Sequence, residues 1–187
     1  ILAKNFDKKA LKIFQRRKNL ILIDISKFKI RKDYEVRNFS NVFLMQEKNK
    51  IIFNRKKLKF VTKLKPSKEE IAQAEFALNI CKYVKSNSIV ISNSFSTIGI
   101  GAGQPSRVDS CKIAVQKAKS FQNKKLRNSV AASDAFFPFP DGVKNLIKAG
   151  VKVIIQPGGS IRDTESIKLA NKSKVKMIFT GTRHFYH

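Results

Sequence analysis

The sequence is poor in cysteine, in acidic residues and in long apolar runs, and each shortage excludes a class of protein. Two cysteines, Cys81 and Cys111, occur among 187 residues, which is too few for a disulfide scaffold and typical of a reducing compartment. No run approaches the roughly 18 apolar residues that a membrane-spanning helix requires. The chain opens with neither a methionine nor a signal peptide, so we interpret it as a piece of a longer protein.

Acidic residues are outnumbered, since 13 Asp and Glu face 39 Lys and Arg, for a formal net charge of +26. Such a charge attracts nucleic acid or an anionic membrane surface. However, 30 of the basic residues are lysines scattered along the chain, and only 9 are arginines, the residues suited to bidentate recognition of bases and phosphates. We therefore expect a solvated basic surface, with neither nucleic acid nor membrane as partner. A basic nucleic-acid-binding α/β protein is the alternative interpretation.

Several catalytic and metal-binding signatures are also missing. The sequence contains no C-x-x-C or H-E-x-x-H spacing, no P-loop and no G-x-S-x-G elbow. His184 and His187 flank a short segment at the end of the chain, but no cysteine or carboxylate cluster accompanies them. We therefore expect no zinc site.

What is present is enough apolar material for a core, at 42% of residues and with 15 phenylalanines. In the first third, the apolar pattern predicts a short helix over residues 7–18, a buried strand over 20–25 and an antiparallel meander from 28 to 63. Ser67 and Glu70 form an S-x-x-E capping box, which predicts a helix that runs to about residue 85.

The rest of the sequence alternates strands and helices, a pattern typical of α/β layers around a largely parallel sheet. Strands are predicted at residues 89–91, 97–102, 129–132, 151–155 and 175–180. Helices are predicted to begin near Ser106, Asp141 and Asp163, the second of them ending at Gly150. In such sheets, ligands gather at the carboxyl ends of the strands.

Three loops at those strand ends have unusual compositions. The glycines of residues 99–108 (GIGAGQPSRV) either bring the backbone close to a ligand or simply end a strand before a helix. The three phenylalanines of residues 133–142 (SDAFFPFPDG) either plug the core or line a pocket for a flat ring beside Asp141. Residues 156–163 (QPGGSIRD) form a glycine turn before a helix, where an anion or a polar ring edge could bind.

Five strings then occur in one order: KSNS at residues 85–88, GIGAGQPSR at 99–107, SDAFFPFPD at 133–141, QPGGSIRD at 156–163 and TRHFYH at 182–187. Together they resemble the C-terminal part of the bifunctional purine-biosynthesis family, which joins IMP cyclohydrolase to phosphoribosylaminoimidazolecarboxamide (AICAR) formyltransferase. The resemblance implies a cytidine-deaminase-like three-layer α/β/α fold without the zinc site. It also implies that residues 67–187 form the C-terminal transferase subdomain, that residues 1–66 are part of an inter-subdomain region, and that the cyclohydrolase domain is absent.

The activity implied by the resemblance is transfer of a formyl group from 10-formyltetrahydrofolate to the 5-amino group of AICAR, in IMP biosynthesis. By the same resemblance, the residues that contact AICAR are Asn87, Arg107, Phe136 and Arg183. Asn87 would also contact the reacting centre, and His187, close to the nucleotide site, would aid proton movement, so these two are the catalytic candidates. The folate co-substrate would contact Val108, Pro138, Phe139, Asp141, Ser160 and Ile161. A monovalent cation such as potassium would bind at Ser86, Ser88 and Asp134.

One departure from the family pattern affects catalysis. The family's general base is a Lys-His pair, and no Lys-His dipeptide occurs in this sequence. We therefore expect the isolated chain to be inactive as a transferase, and we interpret it as a fragment of a normal enzyme in preference to a degenerate remnant. For the full-length protein, the family implies a homodimer in the cytoplasm.

Overall fold

A computed structural model describes residues 1–27, 34–50 and 53–186. The chain divides into two compact units, Ile1–Lys50 and Ile51–His187, which are described separately. This division lies earlier in the chain than the predicted boundary between residues 66 and 67. No helix in the described ranges is both long and apolar enough to cross a membrane.

The first unit contains short elements with little burial. Strand β1 (Leu2–Ala3) precedes helix α1 (Lys8–Phe14) and pairs in parallel with β2 (Ile23–Asp24). Strands β3 (Tyr34–Phe39) and β4 (Val42–Glu47) form an antiparallel hairpin. The predicted helix is therefore confirmed in shortened form. The predicted buried strand at 20–25 is wrong, because β2 has two residues and both are exposed.

The predicted meander is confirmed only in its middle. The β3–β4 hairpin is an antiparallel pair, as a meander requires. Phe28, where the meander was predicted to begin, and its apolar residues Ile51 and Ile52 lie outside the described residues. A single 3-10 turn, Arg55–Lys57, follows in the second unit. It leads into a short strand, β5 (Lys59–Phe60), which belongs to the main sheet.

The second unit is built on a six-stranded sheet. Its remaining elements, in chain order, are α2 (Lys68–Cys81), β6 (Ile89–Asn93), β7 (Ser96–Gly101), α3 (Arg107–Leu126), β8 (Val130–Ser133), α4 (Pro140–Ala149), β9 (Val153–Gln156), α5 (Asp163–Lys172) and β10 (Lys176–Phe179). The strands lie in the order β5-β10-β9-β8-β6-β7. The predicted strands and helices of residues 67–187 are thus confirmed, with boundaries shifted by a few residues.

The sheet is mixed, which corrects the prediction of a largely parallel one. Strands β8, β9 and β10 are parallel neighbours, but β6 is antiparallel to both β7 and β8, and β5 is antiparallel to β10. The reason is that β6 and β7 are joined by a two-residue turn, Ser94-Phe95, and such a short connection can only make an antiparallel pair.

Helices cover both faces of this sheet. Alternate strand residues point to opposite faces, so Ile89 and Ile91 pack with α3 and α4 while Val90 between them packs with α2. The α2 side buries Ala74, Ala77, Leu78 and Cys81. The other side buries residues of α3, α4 and α5, among them Cys111, Ala114, Leu146 and Ala170. The predicted three-layer α/β/α architecture is therefore confirmed for this unit.

Some helix ends lie where the sequence signals predict, and others are shifted by one or two residues. The capping box at α2 is complete, because the Ser67 hydroxyl accepts from the Glu70 backbone N–H and the Glu70 carboxylate accepts from that of Ser67. Gly150 ends α4 in the left-handed conformation, with φ of 103°. The predicted caps Asp141 and Asp163 are instead inside the first turns of α4 and α5, where a carboxylate still favours the positive end of the helix dipole.

Candidate functional site

One edge of the main sheet collects the loops with unusual compositions. The carboxyl ends of β7, β8, β9 and β10 lie at this edge, and so does the amino end of the antiparallel strand β6. Asn87 precedes β6 and thereby reaches the same edge as Arg107, which follows β7. The mixed sheet thus brings a residue before a strand to a ligand-binding edge, which a parallel sheet would not do.

A cavity of about 410 Å³ opens at this edge. The residues predicted to contact a nucleotide, Asn87, Arg107, Phe136 and Arg183, all line it. Of the residues predicted to contact folate, it is lined by Val108, Pro138, Phe139 and Asp141. Both predicted sets therefore face one space, and their members come from positions between 87 and 183 of the chain.

Five of the remaining predicted site residues lie elsewhere, and the sixth is not among the described residues. Ser160 and Ile161 do not line the cavity, and the Ile161 side chain is fully exposed. His187 lies outside the described residues. Ser86, Ser88 and Asp134 form a separate cluster directly behind the cavity wall. The cavity thus unites eight of the predicted site residues, while five other described ones lie outside its lining.

The wall behind Asn87 is a buried ion pair. Arg107 and Asp134 are 7% and 0% exposed, and their side chains form a salt bridge and hydrogen bond. The Arg107 guanidinium also donates to the Ser133 hydroxyl at 2.8 Å and to the Asn87 side-chain oxygen at 2.7 Å. A planar guanidinium with several fixed donors can serve all three acceptors at once. Arg107 therefore holds Asn87 while facing the cavity itself.

Asn87 is fixed from both ends of its amide. Its nitrogen donates to the backbone carbonyls of Gln104 and Pro105, each at 2.9 Å, and its oxygen accepts from Arg107. The Asn87 backbone carbonyl accepts from the Ser110 hydroxyl at 2.7 Å. These contacts tie the amide to the loop between β7 and α3, so its orientation is set before any ligand arrives.

The cluster of Ser86, Ser88 and Asp134 has internal partners of its own. The Ser86 hydroxyl and the Ser88 backbone N–H donate to one carboxylate oxygen of Asp134, at 2.6 and 3.1 Å, and Arg107 approaches the other. Donor hydrogens aimed at a carboxylate repel a metal ion there. The counter-ion of Asp134 in this structure is thus the guanidinium of Arg107, and a potassium ion at these residues stays a prediction.

The three phenylalanines of the loop after β8 divide between the two predicted roles, core packing and cavity lining. Phe137 is 1% exposed and packs against Gly142 in the core. Phe136 and Phe139 instead line the cavity. The guanidinium carbon of Arg183 lies 4.7 Å from the centroid of the Phe136 ring, a cation–π arrangement, and that of Arg162 lies equally close to Phe139.

The last segment of the chain crosses this edge in an extended conformation. Arg183 and Phe185 line the cavity, and the backbone N–H of His184 between them donates to the Asp134 carbonyl at 2.8 Å. The Ser86 backbone N–H donates to the Tyr186 carbonyl, and the Tyr186 backbone N–H donates to the Ser86 hydroxyl. Sequence reasoning missed Phe185. The signal that could have found it is its spacing of two from Arg183, which places both side chains on one side of an extended segment.

His184 is buried on the opposite side of this segment, with 3% of its surface exposed. Burial lowers the pKa of its imidazole, and the positive charge of Lys82 acts in the same direction, while Asp134 opposes both. The neutral form is therefore favoured in the folded protein. His184 does not line the cavity, so it is a supporting residue of the wall.

Two glycine-rich loops have structural explanations that the sequence left open. A Cβ at Gly99 or Gly101 would overlap the backbone carbonyl of Ala114 or Ser110, so these glycines let α3 lie directly on β7. In the loop after β9, the backbone N–H groups of Gly159 and Ser160 donate to the Asp163 carboxylate, at 2.7 and 3.1 Å. An anion predicted at that turn would have to compete with a carboxylate already in place.

Neither thiol is suited to nucleophilic chemistry, and the described residues form no cluster of metal ligands. Burial raises the pKa of Cys81 and of Cys111 to about 12, so both remain protonated near neutral pH. Within the described ranges, no group of three or more His, Cys, Asp and Glu side chains could hold a metal ion. The cavity combines aromatic ring faces with guanidinium donors, groups that can contact a flat ring and an anion.

Comparison with known proteins gives consistent matches at the sequence level. A family model described as the AICARFT/IMPCHase bienzyme matches residues 1–117. The bifunctional purine biosynthesis protein PurH of Persephonella marina is 46% identical over the whole chain, and that of Buchnera aphidicola is 44% identical. The chain spans 36% of the length of each relative. Among solved structures, RibD of Acinetobacter baumannii is similar over 58% of this chain and 35% of that one, with a TM-score of 0.41 and 16% identity.

Proposed function

The chain belongs to the AICARFT/IMPCHase bienzyme family, and from this premise we propose that it supplies a ligand-binding part of an AICAR formyltransferase. The substrates are AICAR and 10-formyltetrahydrofolate. Residues 67–187 are the C-terminal cytidine-deaminase-like subdomain, and residues 1–66 belong to the region that links it to the rest of a longer protein. That protein acts in IMP biosynthesis as a cytoplasmic homodimer and carries IMP cyclohydrolase in a part beyond this chain.

The observation that carries the proposal is the convergence of two residue sets on one cavity. Asn87, Arg107, Phe136 and Arg183 are the positions that the family resemblance gives to the nucleotide, and Val108, Pro138, Phe139 and Asp141 are those it gives to folate. Transfer requires the amine of one substrate to meet the formyl carbon of the other. A single space lined by both sets meets that requirement.

The nucleotide half has chemistry that suits AICAR. The Phe136 ring offers an apolar face for the imidazole, and Arg183 above it offers a fork of donors for a phosphate. Asn87, held by Arg107, presents a fixed amide for the carboxamide of the substrate. These residues bind and orient the nucleotide so that its amino group faces the folate side.

The folate half is more apolar. Pro138 and Phe139 provide a rigid, exposed surface for the pterin ring system, and Asp141 accepts hydrogen bonds from ring N–H groups. The Val108 backbone lies at the start of α3 beside them. In the reaction, the amine nitrogen bonds to the formyl carbon as the bond from that carbon to N10 breaks. One proton leaves the amine, and tetrahydrofolate takes one up.

The test is calorimetric titration of the 187-residue chain with AICAR and, separately, with the stable analogue 10-formylfolate. We expect each to bind, and the presence of one not to abolish binding of the other. Mutual exclusion would contradict a shared cavity with two subsites. Failure of both to bind a folded chain, together with salt-dependent binding of an oligonucleotide, would favour the alternative of a nucleic-acid-binding protein.

A further inference from the structure

The last residue of β9, Gln156, places a polar side chain inside the apolar core. Its exposed fraction is 0%. Alternate residues of a strand face opposite sides of the sheet, so Gln156 shares the side of Ile154, which packs among residues of α3, α4 and α5. An amide in such surroundings costs free energy unless it finds hydrogen-bond partners. A buried glutamine at this position therefore has to be explained by what it holds.

The Gln156 amide reaches from the sheet to the loop after β8. Its side-chain oxygen accepts a hydrogen bond from the backbone N–H of Phe137 at 3.2 Å, and its nitrogen lies 3.6 Å from the Met177 sulfur. A thioether sulfur is a weak acceptor, so the bond to Phe137 is the stronger of the two contacts. Gln156 thus joins β9 to the loop that follows the neighbouring strand.

This bond lies where the backbone pairing of the two strands has ended. The last paired residues are Ala132 of β8 and Ile155 of β9, after which the chain leaves the sheet. Phe137 lies in neither a strand nor a helix and is 1% exposed, so water cannot readily satisfy its backbone N–H. The Gln156 side chain supplies the acceptor that a longer strand pair would have supplied from its backbone.

Phe137 stands between residues assigned to the two proposed subsites. Phe136, before it, lines the cavity on the nucleotide side, and Pro138 and Phe139, after it, line the cavity on the folate side. Phe137 itself packs so tightly on Gly142 that a Cβ added there would lie 2.8 Å from its ring. A shift of the Phe137 backbone would therefore move the residues of both subsites together.

The Gln156 backbone holds the opposite wall of the cavity. Its carbonyl accepts a hydrogen bond from the Thr180 N–H at 2.9 Å, at the start of the terminal segment that carries Arg183. Its side chain holds the loop that carries Phe136. The Arg183 guanidinium and the Phe136 ring form the cation–π contact at the cavity. One residue of β9 thus contacts both segments that meet in that contact.

We propose that Gln156 is a positioning residue for both substrate subsites. By holding the Phe137 N–H, its amide sets the Phe136 ring on the nucleotide side and the Phe139 ring on the folate side. The inference rests on the proposed function, which assigns these two rings to the two substrates. Gln156 lies outside the cavity lining and acts only through the loop.

The test is calorimetric titration of the 187-residue chain with AICAR and with 10-formylfolate at pH 6. Gln156→Met removes the acceptor but keeps an unbranched side chain of similar size. Gln156→Glu restores an acceptor, because burial favours the protonated carboxyl at this pH and its carbonyl oxygen can accept from the same N–H. The matched control is Ile154→Val, which shortens a buried side chain on the same face of β9 without removing the acceptor of Phe137.

We expect Gln156→Met to raise the dissociation constants of both ligands by about threefold to tenfold. The range is that of one hydrogen bond of ordinary net strength, and affinity falls in proportion as the loop leaves its binding position. Gln156→Glu and Ile154→Val should bind both ligands as the unaltered chain does. A general loss of stability would leave the affinity of the folded chain unchanged, so this pattern reports on the position of the loop.

Unchanged affinities in a folded Gln156→Met chain would overturn the inference and leave the proposed function intact. Equal weakening in Ile154→Val or in Gln156→Glu would do the same. Weakening for one ligand alone would overturn a role in both subsites. Failure of the unaltered chain to bind either ligand would count against the proposed function and against this inference with it.

Amide hydrogen exchange at Phe137, followed by NMR in the unaltered chain, is a second measurement that does not depend on whether Gln156→Met folds. Either ligand should slow exchange of this N–H, because binding of each requires the loop to be in place and so opposes its opening. Exchange at Phe137 that neither bound ligand slows would overturn the inference.

Discussion

The orientation of Asn87 depends on Asp134, a buried residue outside the cavity lining. Asp134 fixes the Arg107 guanidinium, and Arg107 in turn donates to the Asn87 side-chain oxygen. Leaving one member of a buried ion pair without its partner typically costs about 3–5 kcal/mol, so this pair is held together strongly once formed. Asp134 is therefore a positioning residue. The backbone carbonyl of Asp134 also accepts a hydrogen bond from the backbone N–H of His184, and this bond anchors the segment that carries Arg183.

Arg183 allows the sharpest prediction about ligand affinity. Its guanidinium stacks on Phe136 at the open cavity. Among the described residues Arg183 forms no salt bridge, since Glu165 pairs with Arg162 and Asp163 accepts from its own loop. Arg183→Ala should therefore remove a phosphate contact. We expect a rise in the dissociation constant of AICAR of about tenfold to hundredfold, as for loss of hydrogen bonds to a charged group, with little change for 10-formylfolate. Calorimetric titration of both ligands measures this.

The matched control is Arg162→Ala. Arg162 makes the same stacking contact, but with Phe139 on the folate side. It should leave AICAR affinity unchanged. Unaltered AICAR affinity in a folded Arg183→Ala chain would remove this residue from the phosphate site, whatever the control shows.

His184 gives a prediction about pH. Its pKa is lowered in the folded state, mainly by burial, so the unfolded chain binds a proton more readily. Stability from this group is fully present above the ordinary histidine pKa of about 6.5 and is lost as the pH falls below it, at no more than about 1.4 kcal/mol per pH unit. Urea unfolding at pH 8, 7, 6 and 5 should show this decline, and His184→Gln should flatten it. An equally steep decline in the variant would assign the effect to other groups.

At the scale of elements, the packing of α3 on β7 connects the fold to the site. Gly99 and Gly101 let the helix backbone touch the strand, and the helix begins at Arg107 and carries Ser110, whose hydroxyl holds the Asn87 backbone carbonyl. The glycines thus act on the cavity through the position of α3. Their spacing of two places both on the one face of β7 that meets the helix.

Gly101→Ala should therefore destabilise the fold. The added methyl would overlap the Ser110 carbonyl, which is backbone and cannot rotate away, and overpacking of this kind costs about 1–3 kcal/mol. Urea unfolding measures the change. Ser96→Ala, an exposed position on the same strand, is the control and should change stability by less than about 0.5 kcal/mol. A Gly101→Ala chain as stable as the control would mean that α3 does not pack this closely.

The elements that the sequence predicted well are those whose signals are local. The capping box at Ser67, the left-handed end at Gly150 and the apolar runs of β6, β8, β9 and β10 depend on neighbours a few residues away. The antiparallel direction of β6 was missed although the sequence predicts a polar turn at Asn93-Ser94, one residue before the observed turn Ser94-Phe95. A connection this short already requires an antiparallel pair, so the prediction of a largely parallel sheet overlooked a local signal.

For the site, sequence motifs predict which residues take part, whereas the contacts between those residues depend on tertiary packing. Family motifs gave Asn87, Arg107, Phe136 and Arg183, and the cavity unites them. No pattern in the sequence could predict that Arg107 turns inward to Asp134, since that depends on strands β7 and β8 flanking β6. The placement of Ser160 beside Asp163, away from the cavity, likewise follows from the loop closing on its own helix.

At the scale of the whole molecule, the two units differ in what holds them together. The second unit buries a core on both faces of its sheet. No described residue of the first unit is buried, and its β3–β4 hairpin exposes large apolar side chains such as Val36, Phe43 and Met45. The packing that supports the cavity therefore comes from residues 53–186, and tests of ligand binding report on that unit.

The 187-residue chain should bind AICAR without transferring a formyl group to it. The amine of AICAR is a weak nucleophile because it is conjugated with the imidazole and its carboxamide, so it needs a base to accept its proton and donors for the developing oxyanion. Among the described residues, the cavity lining includes two arginines and one carboxylate, Asp141, but no lysine or histidine. We therefore expect the chain to bind AICAR without the Lys-His pair that the family resemblance assigns as the base.

The measurement is AICAR-dependent release of tetrahydrofolate from 10-formyltetrahydrofolate, compared with a heat-killed sample, on protein shown by calorimetry to bind AICAR. We expect no release above the control. Because binding is measured on the same protein, a negative result reports on the missing base and not on a failure to fold. Release that requires AICAR and is abolished in Arg183→Ala would instead mean that a group within these 187 residues accepts the proton, and Asp141 would be the first to substitute.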